Sequence, residues 1–142
     1  MSETREPMTL ADIQAAFDRS PAIATLGLEA LSADLDEARI RVRMALKPEM
    51  ERRAGTGQFH GGPIASFIDT VGDYAIGMVL GGGVPTINIR IDYLKPAFGE
   101  ALEAEARVRR NGRSVSVVDI DVTDAKGSLV AVGRGTYAST TG

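Results

Sequence analysis

The 142-residue chain contains no cysteine and a single histidine, His60. Disulfides, thiolate zinc sites and iron-sulfur clusters are therefore excluded, and one imidazole leaves little material for a transition-metal cage, so no metal is expected. An excess of positive charge is also missing: 16 Lys and Arg stand against 19 Asp and Glu, a formal net charge of -3. That balance argues against a protein held to nucleic acid by bulk charge, although a local basic cluster could still grip a small anion. No apolar run is read as reaching the roughly 20 residues of a membrane span. The opening MSETREPMTLADIQ lacks the basic start and apolar block of a secretory signal. A soluble, cytoplasmic protein with neither membrane nor nucleic acid as partner is the expectation. The length suits one domain, 1–142, with 1–22 as an N-terminal helical segment.

What is present is periodic. Thr9 followed by Asp12 resembles a capping box, and Leu10, Ile13, Ala16 and Phe17 recur at helical spacing until Pro21 stops the ladder near Ser20. Ile40, Val42, Met44 and Leu46 alternate with Arg39, Arg41 and Arg43, a half-buried strand with LGLEALSADL as its partner. A polar loop, Lys47 to Phe59, leads to Gly62 and Pro63, where a helix is expected to begin with proline at its first position. Ile64, Phe67, Ile68, Val71, Ala75 and Met78 keep a 3.6-residue rhythm until the glycines at 81 to 83. TINIRIDYL then alternates strictly, with Ile87, Ile89, Ile91 and Tyr93 on one side. ALEAEARVRR alternates again, Asn111-Gly112 is read as a type I′ hairpin turn, and DAKG turns the next strand into LVAVGRGTYA. Helix, two strands, one long helix and four strands give an α+β fold with one antiparallel sheet around a long central helix.

In that setting three segments resemble a known family: FHGGPIASFIDT, TINIRIDYLKPA and RRNGRSVSVVDIDVTDAKGSLVAVGRGTY. They are similar to the hotdog-fold acyl-CoA thioesterases of the phenylacetate-associated, PaaI-like group, over roughly Leu26 to Tyr137. The resemblance implies a hotdog fold and hydrolysis of an acyl-CoA thioester to a carboxylic acid and coenzyme A. Coenzyme A would be part of the substrate, with no further cofactor.

The residues fit such chemistry. The leading N-H groups of a helix lack intrahelical partners, so Gly61 and Gly62 can offer bare donors to an oxyanion, a term worth about 3 kcal/mol per donor in acyl transfer. Asp69 lies off the apolar stripe, aligned with Gly62, Ala65, Ser66 and Asp73. It could attack a carbonyl itself or deprotonate a water that does so. The plain alternative is a tight turn entering a helix whose solvated side carries both aspartates. The resemblance makes Asp69 the catalytic carboxylate and Asp73 a bystander, with His60 positioning the loop and Thr86 contacting water or carbonyl. Relatives often carry Asn or Gln six residues before the histidine. Ala54 stands there, so either Gln58 or Thr86 holds the water, or activity is reduced.

Further substrate contacts are expected from Phe59, Asn88 and Tyr93, with Phe67, Tyr74 and Met78 suited to an acyl pocket. Lys95, Pro96, Arg110, Gly112, Arg113 and Ser114 are expected at the phosphates of coenzyme A. An edge strand and an outer sheet face left uncovered predict a homodimer, extended to a homotetramer, with sites shared between protomers. Two other readings stay open: a non-catalytic acyl-CoA-binding protein, motivated by Ala54, and a hotdog hydratase or dehydratase.

Overall fold

The computed structural model describes residues 5–142, so the first four residues of the expected helical segment 1–22 lie outside the described residues. Helix α1 (Leu10–Arg19) starts on the anticipated capping box: Thr9 Oγ1 accepts the Asp12 N-H at 3.1 Å and the Asp12 carboxylate accepts the Thr9 N-H at 2.9 Å. Pro21 stops α1 but also opens a single further turn, α2 (Pro21–Ala24), because its fixed φ suits a first helical position. Phe17 reaches inward and meets Tyr74 edge to face, ring centres 5.1 Å apart.

Strands β1 (Leu28–Asp34), β2 (Arg39–Ala45), β3 (Thr86–Tyr93), β4 (Ala101–Asn111), β5 (Val115–Thr123) and β6 (Leu129–Ala138) form one antiparallel sheet in the order β1-β2-β4-β5-β6-β3. The sheet wraps α3 (Gly61–Leu80). Ile40, Val42, Met44, Leu102, Ala104, Ala106, Val118, Ile120 and Val122 turn inward onto Ile64, Phe67, Ile68 and Val71 of that helix. Contrary to the reading of the sequence, α3 is by length and composition apolar enough to cross a membrane. Here the sheet covers its apolar faces instead, and it carries Asp69 and Asp73.

Four local expectations change. The helix begins at Gly61, so Pro63 is its third residue; a missing N-H costs nothing anywhere in a first turn. The β4–β5 hairpin is not a two-residue Asn-Gly turn. Its loop is Gly112 to Ser114, closed by Gly112 N-H to Val115 O at 3.1 Å, and a Cβ at Gly112 would run into the Val115 carbonyl oxygen. Asn111 stays in the strand and accepts from the Ser116 hydroxyl at 3.0 Å. In β3 the pairing slips between Thr86 and Asn88. Ile87 and Tyr93 are exposed there, whereas Ile89 and Ile91 are half-buried. Finally, the outer sheet face is not apolar. Arg39 and Arg41 pair with Glu105 and Glu103, and Arg134 forks onto Asp119 at 2.6 and 2.9 Å, a surface at ease in water. The pressure for association falls on β3, one of the two edge strands, beside exposed Leu94 and Phe98.

Tyr137 of β6 is fully buried against α3 and donates its hydroxyl to the Asp69 backbone carbonyl at 3.1 Å. Burial pushes its phenol far above the ordinary range. A Cβ on Gly72 would fall on that hydroxyl, so the glycine is a matter of space. Gly72→Ala is expected to cost about 1–3 kcal/mol by overpacking, read as a lower urea midpoint.

Candidate active site

The loop entering α3 is anchored on both sides. Phe59 N-H donates to Ala97 O at 2.9 Å and His60 N-H to Met50 O at 2.7 Å. His60 is the N-cap of the helix, its Nδ1 accepting the Gly62 N-H at 3.2 Å, which places the ring proton on Nε2. Gly62, expected as a bare donor, is therefore occupied. Pro63 has no N-H. What remains is Gly61, whose N-H has no acceptor among the described residues, while its carbonyl accepts the Tyr93 hydroxyl at 2.7 Å. One free amide at the positive end of a 20-residue helix is held from before and behind. His60 thus caps the helix end that carries the Gly61 amide.

A groove of about 520 Å³ opens at this end, lined by Gln58, Phe59, Gly61, Tyr93, Lys95 and Pro96 from the expected set. Arg52, Ile64, Leu94 and Ala97 complete it. Arg52 went unnoticed because its loop has no periodicity to orient it; the cationic pair Arg52-Arg53 ahead of the histidine was the available signal. Phe59 is 3% exposed and belongs mainly to the core. Phe67, Tyr74 and Met78 are buried core residues too, not walls of an open acyl pocket. A shallow depression of about 410 Å³ on the charged outer sheet face, lined by Arg90, Glu105, Asp119 and Arg134 among others, includes none of the expected residues. Among the described residues, no group of three or more acidic or histidine side chains is placed to hold a metal.

Asp69 occupies the middle of α3, half-buried. Its Oδ1 accepts the Thr86 hydroxyl at 2.8 Å, so Thr86, expected to contact water or carbonyl, meets the carboxylate here. Its second oxygen, Oδ2, has no hydrogen bond among the described residues. Asp73, one turn on, is half-buried rather than on a solvated face: its Oδ1 accepts the Val84 N-H at 2.7 Å. Burial, reinforced by the nearby Asp69 charge and opposed by the Val84 bond, pushes its carboxyl up to about 7.

The expected residues fall into two groups at opposite ends of β3. Tyr93 and Lys95 lie at the Gly61 end. Thr86 and Asn88 lie at the Asp69 end, joined by the β4–β5 hairpin, because Ser139 N-H donates to Ser114 O at 2.9 Å and the adjacent Ala138 N-H to Pro85 O at 2.9 Å. Arg110 and Arg113 are exposed around that hairpin. Asp69 stands eight positions along the helix from Gly61, a rise of about 12 Å. β3 itself spans about 23 Å. A single chain therefore does not bring the free amide and the carboxylate to one carbon atom, nor Lys95 and Arg113 to one phosphate.

Residues 56–131, which include His60, Gly61, Asp69 and Thr86, match the sequence profile of the Thioesterase superfamily. The chain belongs to that superfamily. It is 31% identical over 122 residues to acyl-coenzyme A thioesterase PaaI of Escherichia coli, covering 85% of this chain and 84% of that protein. It is 31% identical over 100 residues to human acyl-coenzyme A thioesterase 13, covering 68% and 71%. The structure of the E. coli PaaI protein from the phenylacetic acid degradation operon superposes with a TM-score of 0.76 at 29% identity, covering 91% of each chain. Zebrafish thioesterase superfamily member 2 superposes with a TM-score of 0.80 at 27% identity, covering 92% of this chain and 98% of that one. The hotdog fold and the likeness to PaaI read from FHGGPIASFIDT hold, and membership of the superfamily supports a hydrolase.

Proposed function

We propose that the protein hydrolyses acyl-CoA thioesters, in a site formed by two copies of the chain. The observation that carries the reading is the half-buried Asp69, oriented by the Thr86 hydroxyl, in a fold whose other conspicuous feature is the Gly61 amide, unpaired among the described residues. Two copies joined antiparallel along the open edge β3 would set Thr86 of one beside Tyr93 of the other. Asp69 would then face the partner subunit's Gly61, and Arg110 and Arg113 would approach the partner subunit's Lys95 and Arg52. The two half-sites left apart in one chain become one site. The ion-paired, charged outer face gives no comparable reason for a further pairing of dimers through the sheet, so a tetramer would have to form elsewhere.

In the general-base route Asp69 takes a proton from water and the hydroxide adds to the thioester carbonyl carbon. The oxyanion is held by the Gly61 N-H, the C-S bond breaks, and the coenzyme A thiolate recovers the proton from Asp69. In the nucleophilic route the Asp69 carboxylate adds to the carbonyl carbon, the C-S bond breaks to release the coenzyme A thiolate, and water hydrolyses the resulting anhydride, a proton from that water going to the thiolate. Turnover in ¹⁸O-labelled water separates them, because the second route can carry label into Asp69. Gln58, on the groove at the Gly61 end, and Thr86, at the carboxylate, both stand where Ala54 does not: Ala54 is exposed in the preceding turn. Arg52, Lys95, Arg110 and Arg113 supply the positive charge for the phosphates of coenzyme A, which enters as substrate and not as a resident cofactor.

The decisive assay is thiol release from a panel of acyl-CoAs. A purified protein that binds acyl-CoA and releases no thiol above background would favour the non-catalytic reading that Ala54 suggests. The amide itself can be tested. His60 has the extended backbone that precedes proline (φ -70°, ψ 152°), and Gly61 occupies the first helical position, which proline favours. Gly61→Pro is therefore expected to fold normally by circular dichroism while losing about 10²-fold in kcat through loss of one oxyanion donor. Unchanged kcat in that variant would rule out Gly61 as the donor.

A further inference from the structure

Asp73 is the acidic side chain nearest Asp69 on α3, and the hydrolysis outlined above leaves it unused. It stands one helical turn beyond Asp69 on α3 and accepts the Val84 N-H at 2.7 Å. A Cβ built on Gly83 would lie 3.5 and 3.7 Å from its two carboxylate oxygens and 3.6 Å from the Tyr74 hydroxyl. The carboxyl thus holds the segment from Gly81 to Pro85 against the helix from the inside. Two residues after Val84 comes Thr86, whose hydroxyl donates to Asp69 at 2.8 Å. Between them Pro85 has a ring-fixed φ, and its carbonyl accepts the Ala138 N-H at 2.9 Å. Little rotational freedom is left between the amide that Asp73 holds and the hydroxyl that Asp69 receives.

We infer that Asp73 is a positioning residue for the hydrolysis: by fixing Val84 it determines where Thr86 presents its hydroxyl to Asp69. The inference rests on the thioesterase reading with Asp69 as the reacting carboxylate. The arrangement also couples the two acids. The titratable groups facing Asp73 are Asp69 and Tyr74 on its own helix and Tyr137 from β6, while Arg5 lies against Gly81 and Gly82. When Asp73 ionises, a second negative charge arrives one turn from Asp69. Neutral or ionised, Asp73 keeps an oxygen to accept from Val84, so its grip persists while its charge changes.

A double-mutant cycle tests this, with thiol release from the best-hydrolysed member of an acyl-CoA panel. Asp73→Ala and Thr86→Ala are each expected to lower kcat about tenfold with little change in KM, and the double variant no further than the worse single one. Asp73→Asn retains an acceptor for Val84. It is expected to recover kcat to within about threefold of the wild type and to lose one ionisation near neutrality from the kcat-pH profile. A double variant reduced by the product of the singles, or an Asn variant as poor as the Ala variant, overturns the inference. Should Asp73→Ala not fold, Asp73→Asn with Thr86→Ala and the pH profile decide: an unchanged profile in Asp73→Asn overturns it. An active wild type that loses activity in Asp69→Ala, with an additive cycle, sinks this inference alone. A wild type that releases no thiol sinks the thioesterase reading and this inference with it.

Discussion

Asp69→Asn is expected to lower kcat for thiol release by about 10²–10⁴-fold while leaving KM for acyl-CoA nearly unchanged. The substitution is chosen because it keeps shape and one acceptor oxygen. The Thr86 hydroxyl, now 2.8 Å from Oδ1, retains a partner, and the Tyr137 hydroxyl still meets the backbone carbonyl at 3.1 Å. What is lost is the capacity to take a proton or to attack. A change confined to kcat would mean that Asp69 acts in the transition state and contributes little to ground-state binding. A rise in KM with unchanged kcat would instead make it a binding residue and remove the proposed chemistry. Thr86→Ala offers a graded comparison: orientation is lost and the carboxylate remains, so a smaller loss than that of Asp69→Asn is expected in the same assay.

The second large effect is on stability and depends on pH. Asp73 has a folded value of about 7 against 3.8 for the free side chain. Below about pH 4 it is protonated in folded and unfolded chains alike and carries no penalty. Between pH 4 and 7 the unfolded chain releases a proton that the folded chain keeps, so stability falls as pH rises. Above pH 7 both are ionised, and the folded state contains a charge that burial and Asp69 disfavour, a cost of about 4 kcal/mol. Asp73→Asn removes this dependence. Its stability relative to the wild type, from urea denaturation at a series of pH values, is expected to improve by about 4 kcal/mol between pH 4 and pH 8. A difference that stays flat over that range would show that Asp73 ionises in the folded protein as it does in water. Combining it with Asp69→Asn gives a cross-check. Without its neighbour's charge, Asp73 should ionise at lower pH, and the drop in stability should move down with it.

Much of this was readable along the chain, for local reasons. The capping box at Thr9 and Asp12, the period-two stripe of Ile40, Val42 and Met44, and the apolar rhythm from Ile64 to Met78 each bury one face, and periodicity reports that directly. Helix geometry gave the relative placement of His60, Gly61 and Asp69 once the helix was assigned, while their roles are what the family resemblance implies. Their partners were less legible. That the His60 ring would occupy Gly62 depends on a rotamer, and that Asp73 would turn toward Val84 depends on where the chain goes after Gly83. Asn111-Gly112 misled because a two-residue turn is a local preference, whereas the actual loop is set by the register of β4 against β5.

The sequence by itself determined the α+β class, the element order and the long central helix, since each follows from repeating contacts between residues a few positions apart; the choice of Asp69 over Asp73 came from the family resemblance. Only the tertiary structure decided that Thr86 meets Asp69, that one amide and not two is free, and that the two halves of the expected site stand at opposite ends of β3. Those outcomes depend on contacts between residues distant in the chain, whose partners are chosen by the packing of a whole sheet around a helix and leave no periodic trace in the order of amino acids.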